Sequence, residues 1–226
     1  MQVIFWDIDG TLLASGGAGK AAMDAAMLEA FGLGTLDDRV KYAGRTDRDI
    51  ARELFARNDV PFTPETWQRF IGTYLRLLPL SLHERAGHIL PGVTEALWHL
   101  SERPDIALGL ITGNLRAGAE IKLRHFGLWH HFRFGGFGDV VFDRNEVALA
   151  GVTEARQIVA EYHPERVWVL GDTPLDIACA RAIGAKVIAT ATGQHSVAEL
   201  AEHQPDVVVP DLRDTAALLR LWGLTE

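Results

Sequence analysis

Four consecutive apolar residues, Val3-Ile4-Phe5-Trp6, run straight into Asp7-Ile8-Asp9-Gly10-Thr11-Leu12. A strand that is apolar at every position is buried on both faces, as in a parallel sheet. Its carboxyl end then delivers two acids two residues apart, and Gly10 marks a turn. Carboxylates crowded in this way repel and desolvate each other unless a cation or a shared proton compensates. A solvated turn uses the same residue types, so the meaning of the stretch depends on what the rest of the chain brings to it.

From Pro91-Gly92 onward the pattern alternates between helix and buried strand. Apolar runs at Ile106–Ile111, Val167–Leu170, Val187–Ala189 and Val207–Val209 read as strands, with a less clear Phe/Gly-rich segment at 132–138. Helical spacing falls between them, near 93–100, 115–125, 152–162 and 174–183, and again at the C-terminus. This alternation predicts a doubly wound, Rossmann-like parallel sheet to which the opening strand also belongs. Residues between the first two strands have helical period only. Met23, Ala26, Met27, Ala30 and Phe31 form one stripe, ended by Gly32. Ile50, Ala51, Leu54 and Phe55 form a second, capped by Thr46 or Asp47. The third begins at Thr63-Pro64 and carries Trp67, Phe70, Ile71, Tyr74, Leu75 and Leu78. The expected organisation is an α/β core from residues 1–15 and 86–226, with an all-helical cap inserted at 16–85.

At 226 residues, 48% hydrophobic and 23% charged, the chain has room for one sizeable core and a smaller domain. A formal charge of −8 argues against nucleic acid or an anionic membrane as partner. One cysteine excludes an internal disulfide and fits a reducing cytoplasm, the expected location. No stretch approaches the ~20 apolar residues of a membrane span, and the opening strand has no basic leader region. Oligomeric state is not readable.

In open α/β sheets ligands sit beyond the carboxyl ends of the strands. The first strand ends in Asp7 and Asp9, and the strand at 106–111 ends in Thr112-Gly113-Asn114. The strand at 167–170 ends in Gly171-Asp172-Thr173-Pro174-Leu175-Asp176. Singly these are ordinary: Thr112 as a helix cap, Asp172 as a loop acid, Thr173 and Asp176 as a capping box. Together they put four carboxylates, a hydroxyl and an amide on one edge. Acids gathered without a basic excess call for a hard divalent cation, and Mg²⁺ suits oxygen ligands that retain water. Phosphoryl transfer needs this set. One carboxylate attacks phosphorus, a second moves the proton of the leaving group and then of water, and hydroxyl and N–H donors hold the phosphoryl oxygens.

The stretch from Asp7 to Leu12, Thr112-Gly113-Asn114, and Gly171-Asp172 with Asp176 resemble motifs I, II and IV of the haloacid dehalogenase superfamily, in order along nearly the whole chain. The resemblance implies Asp7 as nucleophile and Asp9 as general acid/base. It implies Mg²⁺ held by the Asp7 side chain, the Asp9 backbone carbonyl and Asp172, with Asp176 bound directly or through water. Thr112 and Asn114 would bind phosphoryl oxygens, with Gly10, Thr11 and Gly113 lining the same pocket. The family's third motif normally supplies a lysine, but no lysine lies between Lys122 and Lys186. Arg144, in Asp143-Arg144-Asn145-Glu146, is the best-placed cation, although arginine is not equivalent to lysine.

An acid at position 9 argues for phosphate esters over haloacids, because a leaving halide needs no proton. The segment Gly44-Arg45-Thr46-Asp47 is similar to the cap specificity loop of phosphoglycolate phosphatase-like members. There Arg45 either meets a substrate anion or is a solvated helix-start residue. A small phosphorylated metabolite, phosphoglycolate-like or a sugar phosphate, is the expected substrate. A phosphomutase, or a phosphate-binding module without turnover, are the alternatives. Gly16-Gly17-Ala18-Gly19-Lys20 misses the phosphate-loop pattern, and Cys179 falls in the apolar stripe of its helix.

Overall fold

The computed structural model describes residues 1–224; Thr225 and Glu226, the last two residues of the expected core segment, lie outside the described residues. The chain opens with β1 (Gln2–Trp6), followed by β2 (Leu13–Ala14) and three helices, α1 (Ala18–Phe31), α2 (Asp47–Arg57) and α3 (Pro64–Glu84). After β3 (His88–Ile89) the alternation begins: α4 (Val93–Ser101), β4 (Ile106–Ile111), α5 (Arg116–His125), β5 (Phe134–Gly136) and α6 (Arg144–Ile158). It continues through β6 (Val167–Gly171), α7 (Pro174–Ala182), β7 (Lys186–Thr190), α8 (Val197–Glu202), β8 (Val207–Val209) and α9 (Thr215–Leu221).

Six strands form one parallel sheet in the order β5-β4-β1-β6-β7-β8, the doubly wound α/β fold the sequence predicts. The chain moves from β1 outward through β4 and β5, then crosses back to β6 on the other side of β1. The order therefore reverses at β1, which places a ligand crevice beyond its carboxyl end. Register sets the neighbours: Trp6 pairs with Leu110 on one side and Leu170 on the other. The residues following those three positions thus emerge at one edge.

Alternation along β1 divides the core in two. Ile4 and Trp6 pack with Leu97, Leu123 and Leu218 from α4, α5 and α9. Val3 and Phe5 face the opposite way, toward Val147, Ile177 and Leu200 from α6, α7 and α8. Trp6 is fully buried; truncating such a side chain to alanine costs about 3–5 kcal/mol. The 132–138 segment contributes β5, a three-residue edge strand whose two glycines give it no readable period.

A third apolar cluster belongs to α1, α2 and α3, with Leu115 buried in it from the core side and Ile121 and Phe126 packed against it. Phe55 lies at its centre, its ring meeting Phe31, Phe62 and Phe70 at 5.2–5.4 Å. Thr46 caps α2 by accepting from the Asp49 N–H, and Thr63 caps α3 in a reciprocal box with Thr66. The chain leaves and re-enters the α/β core through a two-stranded antiparallel ribbon, Leu13 against Ile89 and Ala14 against His88. At two residues per strand it has no sequence period to detect. No described helix is long and apolar enough to cross a membrane.

Candidate active site

Asp7, the residue after β1, is anchored by its N–H on the Leu170 carbonyl at 2.9 Å. Asp172 follows β6, and Asp176 lies in the first turn of α7. Ligand atoms of these three acids lie within 4.8 Å of one another, and all three side chains are buried. Gly10 makes the approach possible. Its φ is +85°, and a Cβ there would meet the Asp172 carboxylate at 2.4 Å. The Thr11 hydroxyl donates to Asp172 at 3.4 Å. Asp176 serves two partners: one oxygen accepts from the Thr173 N–H and hydroxyl, at 3.0 and 2.7 Å, and the other faces Arg144. The expected capping box is therefore present, and the same carboxylate also faces Arg144.

Arg144 opens α6, and its buried guanidinium lies 2.8 Å from Asp7 and 2.5 Å from Asp176. A second nitrogen donates to the Gly44 carbonyl at 3.1 Å. Asp7 and Asp176 pair with this one guanidinium and Asp172 lies beside them, so with all three ionised two negative charges remain uncompensated among these groups. The acids show the strain. Burial, with Asp176 and Asp9 adding repulsion against the pull of Arg144, raises Asp7 to about 6. Burial, then repulsion from Asp176 and Asp7, raises Asp172 to about 8. An all-oxygen donor set with a deficit of two charges fits a hard divalent cation.

Asp9 stands apart from that cluster. One of its oxygens, Oδ2, accepts from Lys122 Nζ at 2.6 Å and from Asn114 Nδ2 at 2.9 Å. Asn114 also donates to the Thr112 hydroxyl at 2.8 Å and accepts from Lys122 at 2.6 Å. Water in the cavity reaches the Asp9 carboxylate, which is 42% exposed, yet protein encloses the space around it. That enclosure alone would raise its pKa; the Lys122 charge and the hydrogen bonds from Lys122 and Asn114 override it and hold the carboxyl below its ordinary range. Sequence reasoning missed Lys122. The available signal was its place with Ala119 and Leu123 on the buried face of α5, where a lysine breaks the apolar pattern.

The helical insertion reaches the site through residues 44–48. Gly113 lies so close that a Cβ would stand 2.1 Å from the Arg45 carbonyl oxygen. The Asp47 N–H donates to the Gly113 carbonyl at 2.7 Å, and its side chain accepts from the Leu115 N–H at 2.9 Å. Asp47 is a second residue the sequence reading did not single out. Burial raises it to about 6, with Lys122 pulling the other way. The Arg45 guanidinium is held by Asp49 at 2.7 Å and Glu53 at 2.6 Å, within and beside the first turns of α2. Lys20, from the glycine-rich stretch, pairs with Asp24 and Asp38. A cavity of about 820 Å³ lies between the two parts, floored by Asp7, Asp9, Thr112 and Asp172 and roofed by Tyr42, Arg45 and Tyr74.

Fold and site together define the class: an α/β enzyme with buried carboxylates clustered at the switch point of a parallel sheet, under a helical insertion. Sequence comparison gives the particular family. The chain belongs to the haloacid dehalogenase-like hydrolases, whose family profile matches residues 3–190. It is 24% identical over 221 residues to a phosphoglycolate phosphatase of Nitrosococcus oceani, with 96% of each chain covered. A phosphoglycolate phosphatase of Chromobacterium violaceum is 29% identical over 202 residues, covering 85% of this chain and 86% of its own. Among solved structures, a hydrolase from Pseudomonas syringae superposes with a TM-score of 0.73 at 21% identity, covering 98% of this chain and 99% of its own.

Proposed function

We propose that the protein is a Mg²⁺-dependent phosphatase acting on a small phosphomonoester through a phosphorylated Asp7. The observation that carries this reading is the arrangement of carboxylates: Asp7 clustered with Asp172 and Asp176, and Asp9 held apart from them on Lys122 and Asn114. Asp7 is the nucleophile, and Asp9 transfers the proton, first to the leaving oxygen and then from water. The Thr112 hydroxyl and the backbone around Gly113 hold phosphoryl oxygens as charge builds on them. Asn114, Gly10 and Thr11 complete the lining. Arg144 stands where the family's third motif puts a lysine, neutralising Asp7 and Asp176 from behind. Asp7, Asp172, Asp176 and the Asp9 backbone carbonyl would hold the Mg²⁺. When bound, it supplies charge neutralisation for the acids and the phosphoryl group.

Residues 1–15 and 86–226 form the catalytic core in this reading, and 16–85 the cap that excludes water. The similarity to two phosphoglycolate phosphatases, over 96% and 85% of this chain, supports a phosphoglycolate-like substrate. The test is phosphate release from a panel of phosphoglycolate, sugar phosphates and nucleoside monophosphates, with Mg²⁺ and with chelator. Mg²⁺-dependent release, ranked by the panel, is the expected result. Release that persists in chelator contradicts the metal assignment. Conversion of a sugar phosphate to its isomer without phosphate release identifies a mutase instead.

A further inference from the structure

Lys122 has no part in the chemistry described so far, yet its placement is expensive. Its side chain is 5% exposed on the apolar face of α5, beside Ala119 and Leu123. A methionine or leucine would fill that position without the desolvation penalty of a buried ammonium. Among the described groups, two partners engage its nitrogen, Asp9 Oδ2 and Asn114 Oδ1, each at 2.6 Å. Asn114 closes the triangle by donating to the same Asp9 oxygen. The first turn of α1 passes over the ammonium: a Cβ on Gly19 would stand 3.2 Å from Nζ.

The consequence falls on Asp9. Its carboxylate is partly open to the cavity, on a turn made by a glycine with φ of +85°. Nothing in that turn fixes the side chain. Lys122 and Asn114 fix one oxygen, Oδ2, from the core side. The other, Oδ1, has among the described residues only the Ser15 hydroxyl at 3.5 Å.

We infer that Lys122 is a positioning residue: with Asn114 it clamps Oδ2 of Asp9 so that Oδ1 is presented to the leaving-group oxygen. This rests on the phosphatase reading above. In that step a bond forms between the Asp7 oxygen and phosphorus as the bond from phosphorus to the ester oxygen breaks. The proton on Asp9 passes to the departing alkoxide. A bond then forms between a water oxygen and phosphorus as the bond from phosphorus to the Asp7 oxygen breaks; Asp9 takes the water proton, the Asp7 carboxylate is regenerated, and inorganic phosphate leaves. A clamp on Asp9 matters most when the leaving oxygen needs that proton. Alkyl esters need it; p-nitrophenyl phosphate, whose phenolate leaves without protonation, does not.

The experiment compares kcat/KM for an alkyl phosphate and for p-nitrophenyl phosphate in wild type, Lys122→Met and Lys122→Arg. Both esters are measured on one preparation, so their ratio is independent of the fraction folded. Lys122→Met is expected to lower kcat/KM for the alkyl ester by ~10²-fold, the scale of a misplaced catalytic group. The loss for the aryl ester is expected to be at least about tenfold smaller, since general acid catalysis contributes little there. Lys122→Arg, which keeps a donor and the charge, is expected to recover part of the alkyl activity. Equal losses for the two esters, or no loss for either, overturn the clamp and leave the phosphatase reading intact. If Lys122→Met yields no folded protein, Lys122→Gln carries the same comparison with the same two outcomes. Wild-type silence toward both esters overturns the phosphatase reading, and the clamp with it.

Discussion

The floor and the roof of the cavity are built on different principles. The floor is fixed by the sheet: Asp7, Thr112 and Asp172 follow three adjacent strands in register, and backbone hydrogen bonds set their spacing. Its charges are unbalanced, three acids against Arg144. The roof comes from a helical insertion with its own apolar cluster. Two of its three cavity-lining cations are already paired, Lys20 with Asp24 and Asp38, and Arg45 with Asp49 and Glu53, while Lys41 has no ion pair among the described residues. A floor with unmet negative charge attracts a cation and, only through that cation, a phosphoryl group; a region whose charges are largely met contributes shape and exclusion of water. The phosphatase proposal puts the chemistry on the floor, so changes there should cost far more than changes in the roof.

The largest expected effect is at Asp7. Asp7→Asn should lower kcat by ~10⁶-fold, as loss of a nucleophile does in other covalent enzymes; steady-state phosphate release checks it. Thr112→Ala should cost ~10²-fold in kcat, the scale of one lost oxyanion donor. An unchanged kcat would remove Thr112 from the floor's chemistry.

The unbalanced charge also predicts how stability depends on pH. Asp7 and Asp47 are raised to about 6 and Asp172 to about 8 in the metal-free protein. The folded state thus holds these protons more tightly than the unfolded chain does. Their stabilising contribution is complete below the ordinary carboxylate value of 3.8 and is lost as pH rises through about 6 and then about 8. Thermal unfolding in chelator should show Tm falling across that window, and Mg²⁺ should flatten or reverse the fall. A metal-free Tm that climbs from pH 4 to 8 would contradict the charge deficit.

Arg45→Ala is the smallest change. Partly exposed ion pairs of this kind contribute about 1 kcal/mol or less, so KM should move by less than ~5-fold and Tm only slightly. A larger rise in KM confined to carboxylated esters would show that the roof releases Arg45 to the substrate, and would narrow the contrast between roof and floor.

The same contrast explains what the sequence disclosed. Each strand of the sheet that carries a site residue is an unbroken apolar run, and the residues after it are read off directly. The sequence alone therefore brings Asp7, Thr112 and Asp172 to one edge. Arg144 was reached by elimination, and the structure puts it against Asp7. Lys122 stayed hidden because its partner, Asp9, is 113 positions away in the chain and a lone lysine on a helix ordinarily reaches solvent. Asp47 reads in the sequence as an alternative cap to Thr46; the cap is Thr46, and only packing against the start of α5 shows Asp47 buried. The pairing of Arg45 was partly readable, since Asp49 and Glu53 follow it at four and eight positions. The β2–β3 ribbon and β5 were too short to carry a period.

The central claim is that Asp7 becomes phosphorylated. Rapid acid quench of the enzyme with a radiolabelled phosphomonoester and Mg²⁺ tests it most directly. The account predicts transient label on the peptide containing Asp7, released by hydroxylamine and absent from Asp7→Asn. Label on a different residue, or turnover retained by Asp7→Asn, would contradict it.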